Sequence, residues 1–241
     1  MKLNVLIIGG GSSLGLGLAE NLVSSGHNIF VVTGKRSLSL KKREDIHFFY
    51  NSLQKPKDVE KTVNQITNYC AEFDIVFYNI GGGLGLTDPM ISYTDFTKLL
   101  WFNFGIVQEF NRFILPKIRN SGKIICVGSI ATRQIVGSLG YTLAKTALEQ
   151  YVRFLGKEFL KKGVSIMAIS IGAYFEKGNA MDRLREKKPD VFQDFINNRL
   201  PRKRMATTDE IVSFLAYLCN QESSIFSGSV IAMDGAETNS L

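Results

Sequence analysis

The chain has 241 residues, of which 45 % are hydrophobic. This length suits a single α/β domain spanning 1–241. No apolar run reaches the ~18 residues that a bilayer-spanning helix needs. The apolar stretch near the N-terminus is too short for a signal peptide. We therefore expect a cytoplasmic protein without a membrane partner.

The formal net charge is +7. The basic residues are scattered and are not interleaved with aromatic residues, which argues against nucleic-acid binding. A positive surface instead favours anionic cofactors and substrates. Three cysteines, widely spaced and each in an apolar setting, indicate buried thiols and exclude disulfides and a metal site. They are Cys70, Cys126 and Cys219.

Short β-branched runs alternate with longer helical patterns along the chain. The runs predict seven strands, at Leu3–Ile8, Ile29–Thr33, Ile46–Tyr50, Ile75–Asn79, Lys123–Val127, Val164–Ile169 and Val230–Met233. The helical patterns between them predict helices at about 15–26, 57–71, 94–118, 140–162 and 208–220. Strict alternation of this kind predicts an α/β fold with a doubly wound parallel sheet and right-handed crossovers.

A glycine-rich turn follows the first predicted strand and opens the first helix. Glycines allow a tight turn and close approach of a pyrophosphate, and the helix N-terminus supplies unpaired N–H groups. This position predicts a dinucleotide-binding loop, although a tight turn without ligand has the same glycines. The candidate cofactor-binding residues are Gly11, Ser12, Ser13, Leu14, Gly15, Leu16 and Gly17.

The second predicted strand ends in Thr33, followed by Gly34, Lys35 and Arg36. A site for NAD(H) usually carries a carboxylate near this point to bind the ribose hydroxyls. Cations would instead hold the 2′-phosphate of NADP(H). The sequence therefore favours NADP(H) over NAD(H), the alternative being that Lys35 and Arg36 are solvated loop charges.

Tyr141 and Lys145 lie at the start of the helix predicted at 140–162. Their spacing of four puts both side chains on one helix face. A nearby ammonium lowers the pKa of a tyrosine and fits it for acid–base chemistry. Ser129 follows the fifth predicted strand, where its hydroxyl can orient a substrate oxygen. Asn103 lies inside the preceding helix, where an amide is a mediocre helix former. A functional role would explain this position, the alternative being a solvent-facing asparagine.

The segment 174–204 interrupts the alternation between the sixth and seventh predicted strands. It is charged, helical in pattern and too long for a simple connection. Long insertions at the carboxyl side of such a sheet are often lids. We therefore predict that 174–204 is a helical substrate lid inserted within the domain.

With these motifs in order, nearly the whole chain resembles the short-chain dehydrogenase/reductase family, in its form of about this length. The glycine loop fits the family's T-G-x-x-x-G-x-G motif. Further positions that match are Asn79, Ile80 and Gly81 at the end of N-N-A-G, Ile171 and Gly172 at P-G, and Asp234 and Gly235 at D-G-G. Asn103, Ser129, Tyr141 and Lys145 fall at the family's catalytic tetrad.

The resemblance implies a Rossmann-type sheet of seven strands in the order 3-2-1-4-5-6-7. It implies that Tyr141 is the acid–base residue, that Lys145 lowers its pKa and binds the ribose, and that Ser129 positions the carbonyl. Asn103 would hold a water in a proton relay. The family commonly forms homodimers and homotetramers. Asn79, Ile80, Gly81 and Gly172 would contact the cofactor, as would Asn51 and Ser52 after the third strand.

Several positions depart from the family pattern and bear on cofactor geometry. The substituted positions are Gly10 for Thr, Tyr78 for Asn, Ile80 for Ala, Asn51 for Asp, Ile171 for Pro, Glu176 for Thr and Ala236 for Gly. All four tetrad positions are nevertheless filled, so the departures leave the chemistry intact.

The leading hypothesis is an oxidoreductase that moves a hydride between NADP(H) and a ketone or secondary alcohol. One branch of it resembles 3-oxoacyl-(acyl-carrier-protein) reductases and takes a small or carrier-bound ketone. A second branch reduces a sugar or sugar-nucleotide ketone. A hypothesis of a different class is a dinucleotide-binding regulator without turnover.

Overall fold

The computed structural model describes residues 2–34, 44–222 and 224–239. Its strands are β1 (Asn4–Ile8), β2 (Asn28–Thr33), β3 (Ile46–Tyr50), β4 (Phe73–Tyr78), β5 (Ile118–Val127), β6 (Ser165–Ile171), β7 (Tyr174–Phe175), β8 (Ala206–Thr207) and β9 (Val230–Met233). Seven of them form one parallel sheet in the order β3-β2-β1-β4-β5-β6-β9. The short strands β7 and β8 pair separately with each other.

The α-helices of the described chain flank the sheet or lie beyond its carboxyl edge. They are α1 (Ser13–Ser24), α2 (Pro56–Thr67), α3 (Tyr93–Leu100), α4 (Ile106–Ile114), α5 (Leu139–Leu160), α6 (Ala180–Lys187), α7 (Pro189–Arg199) and α8 (Thr208–Asn220). Within the described ranges, none of the helices combines the length and the apolarity that a membrane crossing requires.

The core consists of two apolar layers, one on each face of the sheet. Successive side chains of a strand point to opposite faces, so Val5 and Ile7 join the layer covered by α1 and α8. Leu6 and Ile8 join the layer covered by α2, α4 and α5. Each fully buried aliphatic side chain stabilises the fold by about 1.5–3 kcal/mol. Burial on both faces explains why the central strands are continuous apolar runs.

The sheet reverses its direction of winding between β1 and β4. In doubly wound folds, ligands bind at the carboxyl ends of the strands beside such a reversal. There, Gly9 adopts a φ of +87°, and a Cβ on it would lie 2.5 Å from the carbonyl oxygen of Asn79. Only glycine permits β1 and β4 to end this close together.

The predicted sheet order is confirmed, with β9 as the seventh strand of the sheet. The predicted helix 94–118 is wrong in its interior and at its end. It is divided into α3, a π-helical turn at Trp101–Gly105 and α4, and a 3-10 turn at Leu115–Lys117 follows. Pro116 lacks an N–H and cannot continue an α-helix. Consequently β5 begins at Ile118, earlier than predicted.

The segment 174–204 contains β7, α6 and α7. Its first residues are held by the ladder between β7 and β8. None of the residues of α7 is buried, and in α6 only Asp182 is buried. The segment is therefore attached to the domain mainly at its two ends, and its function as a lid stays a prediction.

A buried lysine on β5 closes the C-terminal end of α8. The ammonium of Lys123 donates to the carbonyl oxygens of Leu218 at 3.0 Å and Cys219 at 2.9 Å, and also to that of Gln221. Burial lowers the pKa of Lys123. The last carbonyls of a helix have no partner within the helix, so Lys123 satisfies them from the neighbouring strand.

Candidate active site

The four predicted catalytic residues meet at the carboxyl edge of the sheet. Ser129 follows the end of β5, while Tyr141 and Lys145 lie in the first two turns of α5. Asn103 lies in the π-helical turn between α3 and α4. A Cβ on Gly81 would lie 2.6 Å from Asn103 Oδ1 and 2.7 Å from Lys145 Nζ. The site is therefore tightly packed around the backbone that follows β4.

Ser129 and Tyr141 form the hydroxyl pair of the site. Burial raises the pKa of Tyr141, and a side-chain hydrogen bond with Ser129 offsets part of this rise. Ser129 Oγ also accepts from the N–H of Ala131 at 3.2 Å, which fixes its orientation. Tyr141 is thus a protonated phenol at neutral pH, and it can donate a proton to an oxygen that lies beside Ser129.

The side chain of Lys145 is buried, since the residue is 2 % exposed, and it connects the ends of β4 and β5. Its ammonium donates to the carbonyl oxygen of Val127 at 2.7 Å and to that of Ile80 at 3.3 Å. Burial lowers the pKa of Lys145 to about 8. The predicted lowering of the pKa of Tyr141 is not observed, because burial outweighs the favourable contacts and the main compensating contact comes from Ser129.

Asn103 fastens the loop after β4 to the helical layer. Its Oδ1 accepts from the N–H of Gly82 at 2.8 Å, and its Nδ2 donates to the carbonyls of Gly82 at 3.0 Å and Leu99 at 2.9 Å. The side chain is fully buried. π-helical turns inside α-helices are frequent at functional sites. The amide is occupied by backbone partners here, so a role in holding a water stays a prediction.

The glycine-rich turn forms a cradle at the N-terminus of α1. Ser12 is extended and its side chain does not cap the helix, so backbone N–H groups of the first turn remain available to a phosphate. A Cβ on Gly15 would lie 2.6 Å from the carbonyl oxygen of Gly9. Leu14 is buried in the core and can offer a ligand only its backbone. These features fit a dinucleotide pyrophosphate.

The predicted adenine side of the cofactor site is only partly described. Lys35 and Arg36 lie outside the described residues. Asn51 continues from β3, and its Nδ2 donates to Gln65 Oε1 at 2.8 Å. Ser52 Oγ accepts from Gln54 Nε2 at 2.9 Å. Both residues directly follow β3, so they lie at the same carboxyl edge of the sheet as the glycine-rich turn.

Three substituted positions, Gly10, Tyr78 and Ile80, lie in the β1 and β4 region. Tyr78 is buried, and its hydroxyl donates to Asn111 Oδ1 at 2.7 Å, so a tyrosine replaces asparagine without leaving an unpaired polar group. Gly10 packs against the second strand, since a Cβ there would lie 2.8 Å from Val31 Cγ1. Asn79 retains a contact across the crevice and donates to the carbonyl of Gly9 at 3.1 Å.

Asn51 follows β3, and the remaining substituted positions, Ile171, Glu176 and Ala236, lie at or after the ends of β6 and β9. Gly172 continues β6, and a Cβ on it would lie 2.7 Å from the Cβ of Asp234. Ile171 is a buried residue of β6. Glu176 Oε2 accepts from the hydroxyl of Thr208 at 3.4 Å. Ala236 adopts a φ of +62°, a conformation that favours glycine.

One site residue, Glu149, was absent from the sequence-based prediction. Its carboxylate accepts from the N–H of Ser129 at 3.3 Å and from the hydroxyl of Thr132 at 2.7 Å. The signal that could have identified it is spacing, because Glu149 lies four residues after Lys145 and hence on the same helix face.

Comparisons with known proteins agree with this architecture. A family model described as enoyl-(acyl carrier protein) reductase matches residues 9–236. A diacetyl reductase ((S)-acetoin forming) of Staphylococcus epidermidis is 25 % identical over 98 % of this chain and 98 % of its own. The 3-oxoacyl-(acyl-carrier-protein) reductase FabG of Buchnera aphidicola is 25 % identical over 95 % of each chain.

Solved structures share the fold over almost the whole chain. The crystal structure of L-sorbose reductase from Gluconobacter frateurii, complexed with NADPH and L-sorbose, has a TM-score of 0.88 to this chain at 22 % sequence identity. The match covers 100 % of this chain and 98 % of that one. At this identity the likeness shows the fold alone.

Proposed function

We propose that this chain, which belongs to the short-chain dehydrogenase/reductase family, is an enzyme that transfers a hydride between NADP(H) and a ketone or secondary alcohol. The observation that carries the proposal is the proximity of the Ser129 and Tyr141 side chains, with the buried ammonium of Lys145 one turn further along the same helix. A hydroxyl, a protonated phenol and a cation in one crevice are the groups needed to protonate a carbonyl oxygen.

The residues that would hold the cofactor line the carboxyl edge of the sheet. The turn Gly11–Gly17 would bind the pyrophosphate, and Lys35 and Arg36 would bind the 2′-phosphate. Other proposed cofactor contacts are Asn51, Ser52, Asn79, Ile80, Gly81, Tyr141, Lys145 and Gly172. When bound, the nicotinamide supplies or accepts the hydride.

The proton chemistry belongs to the chain itself. Ser129 would hold the carbonyl oxygen of the substrate, and Tyr141 would give it a proton. Because burial raises the pKa of Tyr141, the phenol is protonated over the neutral range. Lys145, with a pKa lowered by burial to about 8, is charged at neutral pH and would stabilise the phenolate that remains. Asn103 would hold the loop after β4 in place beside Ser129, Tyr141 and Lys145.

The substrate we favour is a 3-oxoacyl compound or another small ketone. Exposed apolar side chains support this choice, since Leu84 follows β4, and Ile135 and Leu139 lie between Ser129 and Tyr141. The names of two relatives, a diacetyl reductase and a 3-oxoacyl reductase, agree with it. The lid residues Phe175 and Phe192 pack against each other, with ring centroids 6.4 Å apart.

We further propose a homodimer or homotetramer located in the cytoplasm. Large apolar side chains are exposed on α5, on α8 and before β9, as expected of surfaces that pair with a second copy. They include Phe154, Tyr217 and Ile225.

The test begins with the binding of NADPH, which is measured by the change in its fluorescence. Loss of NADPH absorbance is then measured with an acetoacetyl thioester, free and on its carrier at two salt concentrations, and with diacetyl and L-sorbose. We expect turnover of the thioester or of diacetyl. Turnover of L-sorbose alone would favour the sugar branch. NADPH binding without turnover of any ketone would favour the non-catalytic regulator.

A further inference from the structure

Glu149 is a buried carboxylate beside the proposed catalytic side chains. It lies on α5, four residues after Lys145 and eight after Tyr141, so the three side chains share one face of the helix. Glu149 is 4 % exposed. A carboxylate this deeply buried destabilises a fold unless it has hydrogen-bond partners or a countercharge.

Both oxygens of the Glu149 carboxylate bind the turn that carries Ser129. Oε1 accepts from the N–H of Ser129 at 3.3 Å, and Oε2 accepts from the hydroxyl of Thr132 at 2.7 Å. A hydroxyl bond of this length to a carboxylate is charge-assisted and strong. Glu149 therefore fixes the backbone on which the Ser129 hydroxyl stands.

Gly128 makes room for this carboxylate. A Cβ on Gly128 would lie 2.6 Å from Glu149 Oε1, so any other residue would displace the carboxylate or the turn. The N–H of Gly128 donates to the carbonyl of Ile169 at 2.8 Å. The turn is thus held by β6 on one side and by Glu149 on the other.

The charge of Glu149 also acts on the titratable groups that face it. Burial lowers the pKa of Lys145 to about 8, while Cys126 on β5 and Glu149 act in the opposite direction. Burial raises the pKa of Tyr141, and Tyr174 on β7 and Glu149 add to the rise. Glu149 therefore favours the ammonium of Lys145 and the phenol of Tyr141.

A neutral side chain could hold the same turn only through weaker hydrogen bonds, because they would not be charge-assisted. The negative charge has a second use, since the ammonium of Lys145 donates to the carbonyls of Val127 and Ile80 and needs a countercharge nearby. Glu149 is placed to supply it from the next turn of α5.

We propose that Glu149 is a positioning residue, whose carboxylate orients the Ser129 hydroxyl through the turn 128–132 and balances the buried ammonium of Lys145. The inference deepens the proposed function and rests on it wherever turnover is the readout.

The first experiment compares Glu149→Gln with Glu158→Gln, an exposed glutamate on the same helix. Removing a hydrogen bond to a charged group should lower kcat by about tenfold, while KM for the ketone and Kd for NADPH stay within about twofold of wild type. Alcohol oxidation needs the phenolate, so in Glu149→Gln the acidic limb of the plot of oxidation kcat against pH should move to lower pH. Thr132→Val keeps the charge, so it should lower kcat without moving that limb.

The second experiment does not depend on turnover. Tyrosine ¹³Cζ NMR, with the Tyr141 resonance assigned from Tyr141→Phe, follows the ionisation of Tyr141 in the cofactor-free protein. The midpoint in Glu149→Gln should fall below that of wild type and of Glu158→Gln, because a like charge has been removed. An unchanged midpoint in folded Glu149→Gln would overturn the inference, whether or not the wild type reduces any ketone.

A lowered midpoint in a protein that turns over no ketone would reject the proposed function and support the effect of Glu149 on Tyr141. If Glu149→Gln does not fold, Glu149→Asp replaces it. This variant keeps the charge but shortens the side chain, so kcat should fall while the Tyr141 midpoint stays near that of wild type. Wild-type kcat in Glu149→Asp would overturn the positioning role.

Discussion

The helix α5 and the segment 174–204 differ in how they are held. Seven residues of α5 are buried, among them Lys145 and Glu149. Their polar atoms reach the ends of β4 and β5. Side chains supported in this way keep their geometry without ligand, which proton transfer requires.

The segment 174–204 is supported largely by its own contacts. Asp182 accepts from the N–H of Gly178 at 2.7 Å and pairs with Arg185 at 2.7 Å. The guanidinium of Arg185 lies 4.7 Å from the ring centroid of Phe175. With few buried apolar contacts to the sheet, such a segment opens at lower free energy than the core. Under the proposed function, the rigid region around α5 would hold the chemistry, while the outer segment 174–204 would adapt to substrates.

The strongest test of the rigid region is Tyr141→Phe. This change removes the proton donor and keeps the ring, so kcat should fall by at least about 10²-fold, the scale of general acid–base catalysis. Binding of NADPH should be largely retained. Tyr217→Phe, at an exposed position on α8, is the matched control and should have wild-type kcat. Near-normal turnover in Tyr141→Phe would remove Tyr141 from the role.

A second test adds a Cβ at Gly81, where the site is tightly packed. Gly81→Ala should lower kcat by about tenfold or more, because its φ of +150° is strained for alanine and the new Cβ meets Asn103 and Lys145. Gly83→Ala is the control, since a Cβ there has open space around it. Equal kcat values for the two variants would contradict the tight packing described around Gly81.

The third test moves to the adenine side, outside the described residues. In the double variant Lys35→Asp, Arg36→Ser, the ratio of the Kd values for NADPH and NADH should shift by about tenfold, because charge-assisted bonds to the 2′-phosphate are lost. The same charge changes in the outer segment, Lys187→Asp with Lys188→Ser, should leave the ratio unchanged. A constant ratio in the first variant would reject the 2′-phosphate contact.

The mildest test involves no mutation. In the free protein, hydrogen exchange of residues 174–204 should be faster than that of α5. Addition of NADP and substrate should slow it severalfold. Exchange in 139–160 should change little. Strong protection of 174–204 without ligands would identify it as a fixed structural insertion and remove the proposed lid.

The sheet could be predicted from the sequence because its signals are local. The apolar runs at Ile46–Tyr50 and Val230–Met233 coincide with β3 and β9. The alternation with helices indicates parallel strands, and the strand order followed from the family resemblance. The positions of Ser129, Tyr141 and Lys145 could be predicted in the same way, while their catalytic roles stay a prediction. Lys145 follows Tyr141 by one helical turn, and Ser129 follows a strand end, so their meeting is a consequence of the fold.

The remaining features depend on partners distant in sequence. The π-helical turn at Trp101–Gly105 accompanies the bonds between Asn103 and Gly82, which are 21 residues apart. The accommodation of Tyr78 depends on Asn111, 33 residues further along the chain. The carboxylate of Glu149 finds its donors 17 and 20 residues before it. No local pattern specifies these contacts, because each is decided by how two elements pack.

The buried ammonium of Lys123 has a consequence for biosynthesis. Its carbonyl partners lie at residues 218–221, nearly 100 residues later in the chain. While the chain is being synthesised, β5 can pair with β4, but the charge of Lys123 lacks its partners until α8 has left the ribosome. Burying an unpaired charge is strongly unfavourable, so the central sheet should remain partly open in nascent chains. Closure of the sheet around β5 should therefore wait until α8 can cover it.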